Sequence, residues 1–189
     1  MNLPRALRSG IRIEGEEVAD LDYTGMFPRL AFLRLGIMEP PGGDLYAVSG
    51  LEGHRDGVKR MMNAFIFASS DKVRIPKDIK ALLPKGATAG SVREAILKRY
   101  PKLEEAFGSG LGLSLMFDES RILVAVLLRL AERGIAALPM HDGLMVARSK
   151  VDVVRGIMED VAEREVGFRL PVVLKDGAIV DSNPSLSSP

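Results

Sequence analysis

The chain has 189 residues with 26 basic and 25 acidic side chains, a formal net charge of +1, so any nucleic-acid binding must come from local patches rather than from the molecule as a whole. With no cysteine and two histidines, a disulfide framework, a thiolate nucleophile and a cysteine-based zinc site are excluded, which fits a reducing cytoplasm. The longest apolar run, ILVAVLL at 122–128, is far short of the ~20 residues of a membrane span, and the start MNLPRALRSG lacks a signal-peptide core.

A soluble cytoplasmic protein is therefore expected, with one domain at 16–180 between an N-terminal arm (1–15) and a tail, DSNPSLSSP (181–189), of disordered composition. EEVADLDY (16–23) alternates Ala19, Leu21 and Tyr23 on one face with Asp20 and Asp22 on the other, which predicts a strand ending in carboxylates. PRLAFLRLG (28–36) opens with a proline suited to a first helical turn and closes on a glycine suited to a C-cap. DGVKRMMNAFIFASS (56–70) predicts a second helix. After the break at PKGATAG, Ser91 and Glu94 predict a capping box for a helix reaching about Phe107.

From Asp71 to Lys102 nine basic residues face three acidic ones, a surface that suits either phosphate tracking or simple solvation. Asp118 is placed to cap a long helix ending at Gly134. AALPMHDGLMVARS (136–149) predicts a strand to Met140, a tight turn at His141, Asp142 and Gly143, and a return strand LMVA. Ser149 is placed to cap a helix with apolar positions Val151, Val154, Met158 and Val161, and RLPVVL supplies a late strand. Interleaved strands and helices joined by hairpins point to an α+β fold, with helices layered on a largely antiparallel sheet.

Two carboxylates, Asp22 and Asp142, end strands and precede turn-forming residues. If those strands pair, the carboxylates meet, and they repel unless one is protonated or a cation lies between them; magnesium favours such oxygen ligands. The ordinary alternative is that both are turn residues. Arg55, Lys59, Asn63 and Phe67 follow one another at four-residue steps and share a helix face. A guanidinium and an ammonium one turn apart can hold a triphosphate, and an aromatic further along can cover a base. The alternative is two solvated cations and a core phenylalanine.

DLDYTGMFPRL resembles the first catalytic motif of family A DNA polymerases, RDGVKRMMNAFIFA their fingers-helix motif, and LPMHDGLMV the histidine-aspartate hairpin of their third motif. The likeness runs from about residue 16 to 180, and single-subunit phage RNA polymerases are similar more remotely. It implies an antiparallel palm sheet backed by helices, an abbreviated fingers insertion at about 42–90, and no thumb. It also implies metal-dependent addition of nucleotides to a primer 3′-hydroxyl with release of pyrophosphate. Asp22, Asp142 and the carbonyl of Tyr23 would hold two Mg²⁺ or Mn²⁺ ions. Arg55 and Lys59 would grip the triphosphate, Phe67 would pack at the nascent base pair, and His141 would sit against the primer end. Phe27, Arg29 and Asn63 complete the substrate-binding set that the resemblance implies.

Three positions depart from the family pattern. Gly143 stands where the family has a glutamate after the histidine-aspartate pair, Phe27 replaces a glutamate involved in excluding ribose, and Asn63 replaces an aromatic or methionine, so the sugar choice stays open. The implied partners are primer-template and nucleoside triphosphates, with a protein supplying a thumb or clamp. A small domain with one modest basic patch is expected to bind duplex weakly and to lose it steeply with salt. Two other readings share residues with this one: a two-metal nuclease, which needs the carboxylates but not the Arg55–Lys59 stripe, and a non-catalytic nucleic-acid-binding replication accessory module.

Overall fold

A computed structural model describes residues 10–140 and 143–175. Five strands form one antiparallel sheet: β1 (Arg12–Ile13), β2 (Glu16–Tyr23), β3 (Ala137–Met140), β4 (Gly143–Ala147) and β5 (Val172–Lys175). β2 is the central strand. It pairs along one edge with β4, which carries β3 beyond it, and along the other with β1 at its start and β5 at its end. Among the described residues there are six α-helices: α1 (Met26–Arg34), α2 (Arg55–Phe67), α3 (Lys77–Lys80), α4 (Ala89–Arg99), α5 (Gly112–Ala131) and α6 (Val151–Val166).

The alternation read from β2 decides how the sheet is used. Ala19, Leu21 and Tyr23 are buried, as are Leu144 and Val146 opposite them on β4 and Val172 on β5. On this face the Tyr23 hydroxyl donates to the Met158 carbonyl of α6 at 2.7 Å, and burial, then the nearby Glu159 carboxylate, push the phenol far above its ordinary range. The other face carries Asp20, Asp22, Met145, Val173 and Lys175, and Val173 is 44% exposed. The core runs on through α1, α2, α4 and α5, and the irregular segment after α1 adds Leu45, Tyr46, Val48 and Leu51 to it.

Several helix boundaries differ from the sequence expectations for identifiable reasons. The capping box of α4 belongs to Thr88 and Ser91, not to Ser91 and Glu94: Ser91 N–H donates to the Thr88 hydroxyl at 3.1 Å and Thr88 N–H to the Ser91 hydroxyl at 3.0 Å. The helix then stops at Arg99, ahead of Pro101, and a short 3-10 turn (Pro101–Glu105) follows instead of a continuation to Phe107. Asp118 lies inside α5 rather than at its start. It falls on the buried stripe of Leu115, Ile122 and Val126, where Arg34 grips it through bonds of 2.8 and 2.7 Å. Ser149 does not cap α6 either, because its amide and hydroxyl both donate to Glu16, at 3.1 and 2.9 Å. α3 is a single turn, too short to leave a periodic signal.

Candidate functional site

The end of β2 feeds α1 through Thr24 and Gly25, and this turn is built for close approach. Gly25 has φ 58°, and a Cβ there would lie 2.5 Å from the Arg29 Nη1 atom, so glycine is required on both counts. Arg29, implied as a substrate contact, is instead 2% exposed, and its fork donates to the carbonyls of Thr24 at 2.7 Å and Gly43 at 3.0 Å. Burial lowers its pKa against the opposing influence of Tyr46, Tyr100 and Asp44. The side chain staples the segment at 43–46 to the turn after Asp22 rather than reaching a ligand itself.

Once stapled, that segment meets the first turns of α2. The Asp44 carboxylate accepts from Arg55 Nε at 2.6 Å and Nη2 at 3.2 Å, and from the Tyr46 amide at 3.1 Å. Burial alone would raise the Asp44 pKa, but the bonds from Arg55 and Tyr46 outweigh it and hold the carboxyl below its ordinary value. The same pairing, chiefly the Asp44 hydrogen bond, raises the Arg55 pKa. The buried Tyr46 ring lies beneath both cations, its centroid 5.3 Å from the Arg55 guanidinium carbon and 5.9 Å from Lys59 Nζ. The cationic stripe expected on α2 is therefore present and organised, with Arg55 already held by a carboxylate.

Further along α2, the Asn63 side-chain oxygen is buried and accepts no hydrogen bond from the described residues. Phe67, 37% exposed, packs edge-to-face on Phe27 of α1 with ring centroids 4.8 Å apart. Gly112 at the start of α5 abuts Phe67, where a Cβ would meet the ring at 2.6 Å. Phe27 and Phe67, 40 positions apart in sequence, thus form one apolar platform beyond the cations.

His141 and Asp142 lie outside the described residues. What flanks them is described: Met140 pairs with Gly143, and Gly143 pairs with Asp22. Asp22 is 5% exposed and forms an ion pair with Lys175, which stands one diagonal step away on β5. Among the described residues no group of three or more histidine, cysteine, aspartate or glutamate side chains stands together. Of the implied ion-binding groups, Asp22 and the Tyr23 carbonyl are described, and the Asp22 carboxylate bears the Lys175 ammonium. Gly143 also explains why no glutamate stands there: a Cβ would be 2.3 Å from the Leu21 carbonyl oxygen.

Three residues of the site had no sequence signal of their own. Asp44 and Tyr46 sit in an irregular segment without periodicity, and Lys175 reaches Asp22 only through the β2–β5 register. In the basic stretch, Arg93 pairs with Asp71 and Glu104, both at 3.7 Å, and Lys102 with Glu105 at 3.6 Å. Part of that local excess is therefore internally neutralised.

No family model and no curated protein matches the sequence. Among solved structures, the chain is similar to the POL domain of Pol1 from M. smegmatis, in a complex with DNA primer-template and dNTP. The TM-score is 0.56 at 12% identity, over 90% of this chain and 41% of that one. The likeness is one of fold: mixed α and β, with an antiparallel sheet and six helices in a polymerase-like arrangement. The chain spans about two fifths of the length of that neighbour, and no described helix is long and apolar enough to cross a membrane.

Proposed function

We propose that the chain is a minimal polymerase-like nucleotidyltransferase of the family A type, in which a primer 3′-hydroxyl attacks the α-phosphate of a nucleoside triphosphate and pyrophosphate leaves. The observation that carries this reading is the arrangement on α2, where Arg55 and Lys59 flank the Tyr46 ring one turn apart, upstream of the Phe27–Phe67 platform. The polymerase-like fold supports it.

In this reading β2, β4 and the helices behind them are the palm, and α2 is the core of a fingers insertion at about 42–90. Arg55 takes phosphate oxygens in exchange for its Asp44 partner, and Lys59 neutralises the terminal phosphates as a point charge, which steadies the charge that grows on the leaving pyrophosphate. Phe67 and Phe27 offer apolar surface to base and sugar, and Asn63 lies on the same helix face between them and the cations. Asp22 and Asp142 are the proposed catalytic carboxylates and His141 the contact to the primer end. Asp22, Asp142 and the Tyr23 carbonyl would hold two Mg²⁺ or Mn²⁺ ions, which would supply charge neutralisation at the reacting phosphate.

Primer extension with Mg²⁺ or Mn²⁺, offering deoxy- and ribonucleotides in parallel, tests the reading. Metal-dependent incorporation abolished by Asp22→Asn and strongly weakened by Lys59→Ala is expected. A nuclease would survive Lys59→Ala. The pairing of Asp22 with Lys175 favours one alternative, a non-catalytic nucleic-acid-binding accessory module. That alternative predicts no incorporation under any condition, with primer-template binding retained in Asp22→Asn.

A further inference from the structure

The helix α5 is apolar on both sides. Leu115, Ile122, Val126 and Leu130 are buried in the core, while the opposite face presents Leu113 at 80% exposure, Met116 at 48%, Phe117 at 64%, Val124 at 52% and Leu128 at 61%. Of the ten large hydrophobics exposed among the described residues, these five share one face of one helix. At 100° per residue they fall within a stripe with Ser120 and Ala131 that carries no charge along its length. Of the flanking charges, Arg121 is tied to Glu165 at 3.0 Å, and Glu119 borders the opposite edge.

Isolated exposed hydrophobics are ordinary, but a contiguous patch is not. These exposures amount to on the order of 600 Å² of side-chain surface, the upper end of what a soluble monomer leaves open. Two such faces together would bury roughly 1,200 Å², which enters the range of specific protein interfaces. The 20 residues of α5 run for about 30 Å, long enough for such a contact.

We propose that a second copy of this chain covers this face, with the two α5 helices packed antiparallel across a two-fold axis near residues 120–124. The size gradient along the stripe sets the direction. Leu113, Met116 and Phe117 crowd its N-terminal half, whereas Val124, Leu128 and Ala131 leave the C-terminal half slimmer. Antiparallel pairing lays each bulky half on a slim one, with Met116 near the partner copy's Leu128 and Leu113 near its Ala131. Parallel pairing would stack Phe117 on Phe117 and leave a gap at Ala131. A two-fold contact uses the same patch twice and closes on itself, so it makes a dimer rather than a fibre. The inference is independent of any catalytic role for Asp22 or α2.

Light scattering after size exclusion at micromolar concentration is expected to give twice the 20.5 kDa chain mass. Phe117→Glu and Val124→Glu, both at exposed positions, are each expected to raise the dimer dissociation constant more than tenfold with unchanged circular dichroism. Because the chain has no cysteine, single thiols report geometry cleanly. With a short thiol-reactive cross-linker, Leu113→Cys mixed with Ala131→Cys is expected to cross-link, and neither variant alone. A monomeric wild-type mass would overturn the proposal, including one whose face is taken up by lipid vesicles or by another protein. A dimer that persists in both glutamate variants would do so too, as would cross-linking of each cysteine variant with itself. Should a glutamate variant lose its fold, the cross-linking pattern decides.

Discussion

The Lys175 ammonium lies against the Asp22 carboxylate at the buried end of β2. Lys175 stands opposite Asp20 and reaches Asp22 diagonally, so the contact depends on strand register. A carboxylate buried to this extent is costly unless compensated. Lys175→Met is therefore expected to lower the melting temperature in the presence of a chelator. With the lysine 43% exposed the loss is about 1–2 kcal/mol, a few degrees for a chain of this size. If ammonium and metal compete for Asp22, millimolar Mg²⁺ raises the melting temperature of Lys175→Met more than that of wild type. Equal response of the two proteins in a thermal shift assay would show that the carboxylate does not take the ion.

Asp44 occupies the guanidinium fork that a triphosphate would need. Asp44→Asn keeps the shape but removes the charge, so it is expected to free Arg55 and tighten nucleoside triphosphate binding several-fold, read by calorimetric titration, whereas Arg55→Ala weakens it. The pair also has a pH signature. Its folded pKa is depressed, so the stability it contributes is complete above the ordinary aspartate value near ~3.9 and is lost as pH falls through the lowered folded value. The Asp44 side chain is 36% exposed, and solvent screening limits that contribution to about 1 kcal/mol or less. The melting-temperature difference between wild type and Asp44→Asn should be flat across neutral pH and shrink only once the pH falls below the ordinary aspartate value.

At Gly143, β4 leaves no room for a side chain beside β2. A Cβ would sit 2.3 Å from the Leu21 carbonyl and 3.2 Å from an Asp22 side-chain oxygen, contacts that only a shift of the strands can relieve. Gly143→Ala is expected to cost roughly 1–3 kcal/mol, the usual range for overpacking, and Gly143→Glu more. Urea denaturation midpoints check the order. An alanine variant as stable as wild type would mean that the β2–β4 spacing adapts easily at this point.

The sequence pattern told most where one period ruled an element. β2 spans the residues its alternation predicts, α2 begins one residue before the expected stretch, and β3 and β4 flank the expected turn. It failed where a polar residue had two possible jobs. Asp118 and Ser149 both have capping chemistry, but each found a distant partner, Arg34 and Glu16, which no local pattern encodes. The site divides in the same way. The Arg55–Lys59–Asn63–Phe67 stripe follows from helical spacing alone, whereas the residues that hold it, Arg29, Asp44 and Tyr46, act through an irregular segment.

Asp118 offers the sharpest stability test. Its side chain is 4% exposed, and Arg34 grips both carboxylate oxygens, with Arg121 4.0 Å away. The pair joins α1 to the middle of α5, so it couples the helix that follows Asp22 to the long helix behind the sheet. Asp118→Ala removes the acceptor and leaves the Arg34 head, 45% exposed, free to reach water, which softens the loss from the ~3–5 kcal/mol of a fully buried pair to about 2–3 kcal/mol. Arg34→Ala is the harsher change, since it strands a buried carboxylate with only the more distant Arg121 beside it. Chemical denaturation should therefore rank Arg34→Ala below Asp118→Ala, and both below wild type. The reverse order would mean that the buried carboxylate draws its compensation from Arg121 rather than from Arg34.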